Sequence, residues 1–493
     1  MSRTLAPRLT FLLGALSLVA AHGASARRAP VQPLPAIPMP TTYDGAPRSQ
    51  APAVGLDRWW LFFNDPVLAE LEDEAFSASP EIRLMAARVL EARATRSAQI
   101  AQTLPSGNAT AQASHEPLYT IGGGGIGLGS TNTSVTDSLT GALNVAWEVD
   151  LFGRLKAQRR LARSANAEAL FNIEGTRAAL AADVADTYFR MRGLAIQLAD
   201  ARATARIDNE LLDVSRRRAT AGAGTADEVD RVASQAGQAE AQAVDLQAQL
   251  EDARRLLLIL VGRDLRALDA LDLNVPPPAV PAPPAVVPAE LLGRRPDVRE
   301  AEFRLRAELE RATLAHRAVF PTITLLPALG LSRVTSPGVS FTPPSSFTSQ
   351  QVTTTTGFWS MALGLTVPTL DIPRLLDQAR AQDARAREAA VAYEKTVRTA
   401  YGEAQNALAD LASGEAASTR LDEAEAQARR AWEASRRRYG EGLDNLTATL
   451  TTEQSWRQIR SALTTERVDT LRRAVRTYKA LGGGWNASAQ GAG

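Results

Sequence analysis

Side-chain chemistry needs nucleophiles, ligands or paired acids at definite spacings, and this sequence offers few of them. No cysteine occurs among its 493 residues, which excludes disulfides, thiolate ligands, thiol nucleophiles and a lipid-modified N-terminal cysteine. The three histidines, His22, His115 and His316, are far apart, too sparse for a His-based zinc site or a Ser-His-Asp constellation. The glycine tract Gly122 to Gly125 lacks the strand-then-helix setting of a phosphate loop, so nucleotide binding is rejected. No nucleophile–base pair or carboxylate pair recurs at a loop. An enzyme is not expected, and neither is a catalytic residue, a cofactor or a metal. The 55 basic residues are balanced by 54 acidic ones, for a net charge of +1, so no global field invites nucleic acid.

What does recur is a basic helix end beside a glycine. Ser215-Arg216-Arg217-Arg218-x-x-x-Gly222 returns as Ser435-Arg436-Arg437-Arg438-x-x-x-Gly442, 220 residues later. Arginines in a last helical turn complement the helix dipole, and a following glycine caps the helix. Capping by itself explains the pattern. The chemistry beyond it would be ion pairing with Asp227, Glu228, Glu441 or Asp444, including pairing between copies of the chain.

The elements that carry these residues are long. Apolar residues make up 45% of the chain and aromatics only 5%, with alanine a large share, which favours closely packed helices. From Gly153 to Arg218 there is no proline, and Leu180, Val184, Tyr188, Met191, Leu194 and Leu198 recur at helical spacing. Such a helix is roughly 95–100 Å long at 1.5 Å per residue, and in water it needs a coiled-coil partner. Arg154 and Arg374 share the offset of 220, while Pro80 and Pro296, like Pro105 and Pro321, are 216 apart. The chain therefore reads as a tandem duplication. It divides into a signal segment 1–26, an extended segment 27–65, a first repeat 66–274, a proline-rich linker 275–288, a second repeat 289–481 and a tail 482–493. The first repeat is expected to hold a helix, strands within about 106–149, a long helix 153–218 and a helix 226–261. The second is expected to hold a helix 296–320, strands at about 322–332 and 358–368, a long helix 372–438 and a helix 443–480.

The signal assignment rests on Arg3 and Arg8, the apolar run Phe11 to Ala21, and Ala24-Ser25-Ala26 as a cleavage site. That run is too short to cross a bilayer, which takes about 20 residues, and export without a transmembrane helix is expected. The strands then decide the architecture. Leu139, Leu143, Val145, Trp147 and Val149 alternate with small or polar residues. So do Ile323, Leu325, Leu329 and Leu331, and again Trp359, Met361, Leu363, Leu365 and Val367. Ser106 to His115 is a weaker fourth strand, and Gly122 to Asp137 and Ser336 to Thr356 read as exposed loops. One apolar face over about ten residues is the signature of a transmembrane β-strand. Four strands cannot close a barrel, and open edges are not tolerated in lipid. Three chains supply twelve strands, with twelve helices below. The fold class is thus α+β: long coiled-coil helices plus four membrane strands per chain in a trimeric, twelve-stranded barrel.

Four motifs carry a family likeness: Trp59-Trp60-x-x-Phe63-x-Asp65-Pro66-x-Leu68; Trp147-Glu148-Val149-Asp150-Leu151-Phe152-Gly153-Arg154; Leu291-Leu292-x-Arg294-Arg295-Pro296-Asp297-Val298-x-x-Ala301-Glu302; and Leu481-Gly482-Gly483-Gly484-Trp485. Spread in this order, they make the chain resemble the TolC family of outer-membrane efflux proteins, nearest its OprM/NodT-like branch. The resemblance implies a homotrimer in the outer membrane, with a helical tube in the periplasm. It implies an exit duct joined to a periplasmic adaptor and an inner-membrane transporter of the RND type, carrying drugs and other small toxic compounds. Heavy-metal efflux and type I protein secretion use the same duct and stand as alternatives, as does, in a different class, a soluble periplasmic coiled-coil scaffold. The glycine turns, with Gly222, Gly224, Gly440 and Gly442, would form the periplasmic tip where the adaptor docks. Arg218, Glu228, Arg438, Tyr439 and Asp444 are the candidate gate residues. Two positions that often hold carboxylates are Ala448 and Thr451 here, so an acidic ring does not carry over. Branch members commonly carry a lipidated cysteine after the signal, whereas Ala21 is followed by His22, and no lipid anchor is expected. Asp150 to Arg154 reads as a structural strand-to-helix junction.

Overall fold

The structure, a computed structural model, describes residues 37, 38, 40, 42, 43, 56–120, 132–263, 278–283, 288–342 and 346–485. The signal segment, residues 27–36, 39, 41 and 44–55 of the extended segment, the Gly122 to Gly125 tract, residues 275–277 and 284–287 of the linker and the tail from residue 486 lie outside the described residues.

A 3₁₀ helix, Leu56–Phe63, leads into α1 (Pro66–Ala78) and α2 (Pro80–Ala101). Asp65 starts α1: its carboxylate accepts from the amides of Val67 (3.1 Å) and Leu68 (3.2 Å), and Pro66 fits the first turn. Strands β1 (Ser106–Thr120) and β2 (Asn132–Val149) follow, then the helices α3 (Arg154–Thr220) and α4 (Ala226–Val261). The pattern repeats as α5 (Pro296–Arg317), β3 (Thr322–Thr342), β4 (Ser346–Thr366), α6 (Ile372–Gly440) and α7 (Leu446–Ala480). No described helix is long and apolar enough to cross a membrane.

Two compact units cut across the two repeats. The first takes the described residues of Arg93–Asn166 and Arg304–Ala389, because the strands of both repeats pair into one antiparallel sheet in the order β1-β2-β3-β4. β1 and β4 are its unpaired edges. The ladder between β2 and β3 skips Val145 and Ala146, opposite Leu326 and Pro327, where a proline has no N–H to give. The second unit takes the described residues of 35–92, 167–303 and 390–493, and its core is aromatic and aliphatic. Trp59 stacks on Tyr478 with centroids 5.6 Å apart, and Phe63 packs on Phe189 at 5.0 Å. Within this core the Asp65 carboxylate also accepts from Tyr188 Oη at 3.0 Å and pairs with Arg192, whose side chain is 4% exposed.

The strands differ from the sequence reading. β3 and β4 run 21 residues each, about twice the expected length, and the tract Ser336 to Thr356, expected as a loop, is mostly strand. β1 reaches Thr120 and β2 begins at Asn132, so 132–137 is strand as well. Polar Thr and Ser signal the end of an apolar face, not the end of pairing; threonine is itself a good strand former. Helix α5 stops at Arg317 rather than 320, α6 continues to Gly440, and α7 starts at Leu446 rather than 443, because its cap is Asn445.

Candidate functional site

Two regions hold the residues singled out above: the sheet and the two helical hairpin turns. In the sheet, odd-numbered residues share one face. Ala109, Leu143, Leu329 and Trp359 stand in register across all four strands, and nothing among the described residues covers them: Leu143 is 48% exposed, Leu329 61% and Trp359 80%. Leu139, Trp147, Leu331, Met361, Leu363 and Leu365 extend this uncovered face. From the row of Val149, Ile323 and Leu365 to the row of Leu139 and Arg333 is ten residues along β3. At about 3.4 Å per residue and a tilt of about 40°, the band is about 26 Å tall, the height of a lipid-facing belt. The even-numbered face is a hydroxyl ladder, with Ser114 bonded to Ser138 (2.7 Å) and Thr140 to Ser332 (3.1 Å).

The sheet passes into the helices through bonds that favour the structural reading of Asp150 to Arg154. Gly153 takes a left-handed φ of +75°, which suits glycine. The Asp150 carboxylate accepts from the amides of Leu155 (3.2 Å) and Lys156 (2.9 Å), and Arg154 grips Glu148 in a two-bond fork. In the second repeat Arg374 holds Asp371 at 3.2 Å.

At the hairpin turns the duplication is exact in its bonding. The amide of Gly222 donates to Ala219 and that of Ala223 to Arg218; Gly442 donates to Tyr439 and Leu443 to Arg438. Both are Schellman closures, which need one left-handed residue, and Gly222 (φ +70°) and Gly442 (φ +73°) supply it. Gly224 and Gly440 do not: Gly440 is the last residue of α6, and Gly224 precedes the next cap. Only one glycine of each expected pair therefore makes the turn. Sequence reading missed the caps themselves, Thr225 on the amide of Glu228 (3.2 Å) and Asn445 on that of Ala448 (2.8 Å). They too lie 220 residues apart, and that offset would have found them.

The candidate gate residues do not form one cluster within the chain. Arg438 pairs with Asp444 at 3.2 Å across its own turn, within one chain. Burial pushes the Asp444 carboxyl up, but the Asn445 amide, the Ser435 hydroxyl and Arg438 hold it below the ordinary carboxylate range. Arg218 has a glycine, Gly224, at the position equivalent to Asp444, and reaches only the Ala223 carbonyl at 3.4 Å. Tyr439 is 37% exposed. The hairpins meet through Arg231 and Thr447 (3.3 Å) and through a small core of Leu212, Val232, Ala236 and Leu450. Trp432 and Trp456, the equivalents of Leu212 and Ala236, stack face to face at 4.5 Å. Arg436 lies over Trp432, and Arg457 and Arg460 lie over Trp456. No group of three or more His, Asp or Glu that could hold a metal ion occurs among the described residues.

The chain as a whole is similar to known proteins. A family model described as outer membrane efflux protein matches residues 71–263 and 287–483. The pyoverdine export outer membrane protein OpmQ of Pseudomonas aeruginosa is 29% identical over 483 residues, covering 97% of this chain and 98% of the relative. The solvent efflux pump outer membrane protein SrpC of Pseudomonas putida is 29% identical, covering 92% of this chain and 94% of the relative. Among solved structures, the outer-membrane channel OprN superposes with a TM-score of 0.77 at 26% identity, covering 92% of this chain and 99% of that one.

Proposed function

The chain belongs to the outer membrane efflux protein family, a family of channels and not of enzymes, and from that premise we propose how its surfaces build the duct. The protein is the outer-membrane channel of an efflux pump. Three copies pool their sheets: β4 of one pairs with β1 of the next, which removes the edges that lipid does not tolerate. The odd-numbered face meets lipid and the hydroxyl-lined even face surrounds the passage. The long helices, too polar for lipid, form the periplasmic tube. The barrel holds the protein in the membrane by its lipid-facing apolar band.

The two turns stand at the far ends of the long helices and form the tip, where a periplasmic adaptor docks and an inner-membrane transporter of the RND type delivers cargo. The duct does no chemistry on that cargo. The relatives are named for pyoverdine export, solvent efflux and toluene efflux, and small organic compounds, drugs included, are the cargo proposed here.

The observation that carries the assembly is the uncovered apolar band on a four-stranded sheet with two free edges. Light scattering of the detergent-extracted protein tests it. A protein mass of three chains is expected; a monomer soluble without detergent overturns it.

A further inference from the structure

Charge is almost absent from the two stretches that hold the strands. From residue 104 to 149 the charged side chains are Glu116, Asp137 and Glu148, and from residue 318 to 370 Arg333 is the only one. Arg333 lies in the odd-numbered row with Leu139 and Thr355, at the hairpin end of the apolar band. It is exposed and makes no hydrogen bond or ion pair among the described residues. We propose that Arg333 binds the phosphate of a phosphorylated lipid headgroup in the outer leaflet, so that the barrel is fastened to that leaflet by charge as well as by its apolar belt. This rests on the barrel assembly proposed above.

The elements around Arg333 leave no protein partner for it. On β2 the nearest acid is Asp137, and its carboxylate is held by His115 at 2.6 Å. On β3 beyond Arg333 and on all of β4, no Asp or Glu occurs. In a pooled barrel the neighbouring copy's β1 lies two strands beyond β3, about 10 Å away, and its Glu116 is on the opposite, even-numbered face. A solitary arginine facing lipid is costly at the bilayer midplane but nearly free of cost at the interface, and the band's height puts Arg333 at that interface. There the anion within reach is a lipid phosphate, which a guanidinium grips with two parallel bonds. The polar row of His115, Asp137, Thr335 and Thr353 just beyond suits the carbohydrate or glycerol of the same headgroup.

The test uses full-length protein purified from outer membranes as wild type, Arg333→Gln and Arg333→Lys. Phosphorylated glycolipid per protein is measured by native mass spectrometry after exhaustive detergent exchange, with inorganic phosphate added to parallel samples. Wild type should retain the lipid. Arg333→Gln should retain roughly tenfold less, on the scale of a charge-assisted hydrogen bond, with the lysine variant between them. Equal retention by wild type and Arg333→Gln overturns the proposal, as does displacement of the lipid by millimolar inorganic phosphate, which would make the site one for free anions. The oligomeric mass is read in the same spectra, so a trimer with unchanged lipid refutes this site alone, whereas a monomer refutes the assembly.

Discussion

Leu329 and Ala328 are neighbours in β3 whose side chains leave opposite faces, and an arginine placed at each should have opposite consequences. Leu329 is paired with Leu143 and Trp359, six residues above the Ile323 row in a band ten residues tall. It therefore lies within about 3 Å of the midplane after allowing for strand tilt. An arginine facing lipid there costs about 2–4 kcal/mol per chain, so about 6–12 kcal/mol for a barrel of three chains. Ala328 is paired with Asn144 and Ser360 on the hydroxyl-lined face, where an arginine keeps its water and costs little. The assay is equilibrium unfolding by urea in phosphatidylcholine vesicles, with the inserted fraction read by protease protection of the strands. Leu329→Arg should lose most of its insertion while Ala328→Arg inserts like wild type. Equal insertion of the two variants, or a greater loss for Ala328→Arg, would refute the assignment of faces and with it the barrel.

Replacing Asp65 by alanine strips the cap from α1 and leaves Arg192 buried without its carboxylate, a loss of about 3–5 kcal/mol; guanidinium unfolding of the detergent-extracted protein reads it, with Asp65→Asn losing less. Gly442→Ala forces a Cβ into a left-handed turn at a cost of about 1–2 kcal/mol, whereas Gly440→Ala, in a helix, should gain up to about 1 kcal/mol; hydrogen exchange of the α6–α7 turn should show the opposite signs. Glu72 is fully buried, and burial, with Asp73 adding to it, raises its carboxyl well above the ordinary range. A raised folded value means its contribution is whole at acid pH and is lost as pH rises through that value. Melting temperatures of wild type and Glu72→Gln should therefore coincide in acid and separate in favour of the variant toward neutrality. Replacing Tyr439 and Glu228 together should raise single-channel conductance or vancomycin entry, and unchanged permeability would remove both from the gate.

Much of this architecture is legible in the sequence because it is periodic. The alternation from Leu139 to Val149 and the repeated Ser-Arg-Arg-Arg-x-x-x-Gly give strands, helices and duplication without any tertiary knowledge. The strand ends are not legible in this way: Thr353 to Thr356 are polar, and only their pairing with residues 332–335 shows that the sheet outruns its apolar band. Nor is the pairing of Asp65 with Arg192, 127 residues apart, since no periodicity links two positions so distant in sequence. At the turns, a run of glycines says that the chain bends, but the hydrogen-bond closure decides which of them carries the left-handed residue.

The duplication supplies its own control. Both turns share the Schellman closure and the cap, so backbone geometry has been kept while side chains diverged. The second turn carries a carboxylate, Asp444, that ties Arg438 to the loop, and a tryptophan pair where the first has Leu212 and Ala236. Aromatic stacking adds about 0.5–1.5 kcal/mol beyond the area it buries, whereas an exposed ion pair is screened by water and adds little. The stack acts between α6 and α7 and the ion pair between α6 and the turn, and the first hairpin has neither. The second hairpin is thus the more firmly tied of the two, and Arg457 and Arg460, which cover Trp456, also bond Thr204 and Asp200 on α3. Any movement of the second hairpin against the first must slide these arginines off the ring or off α3. The arginines over the tryptophan stack thus add a further link between the hairpins, beside the Arg231–Thr447 bond and the small core of Leu212, Val232, Ala236 and Leu450.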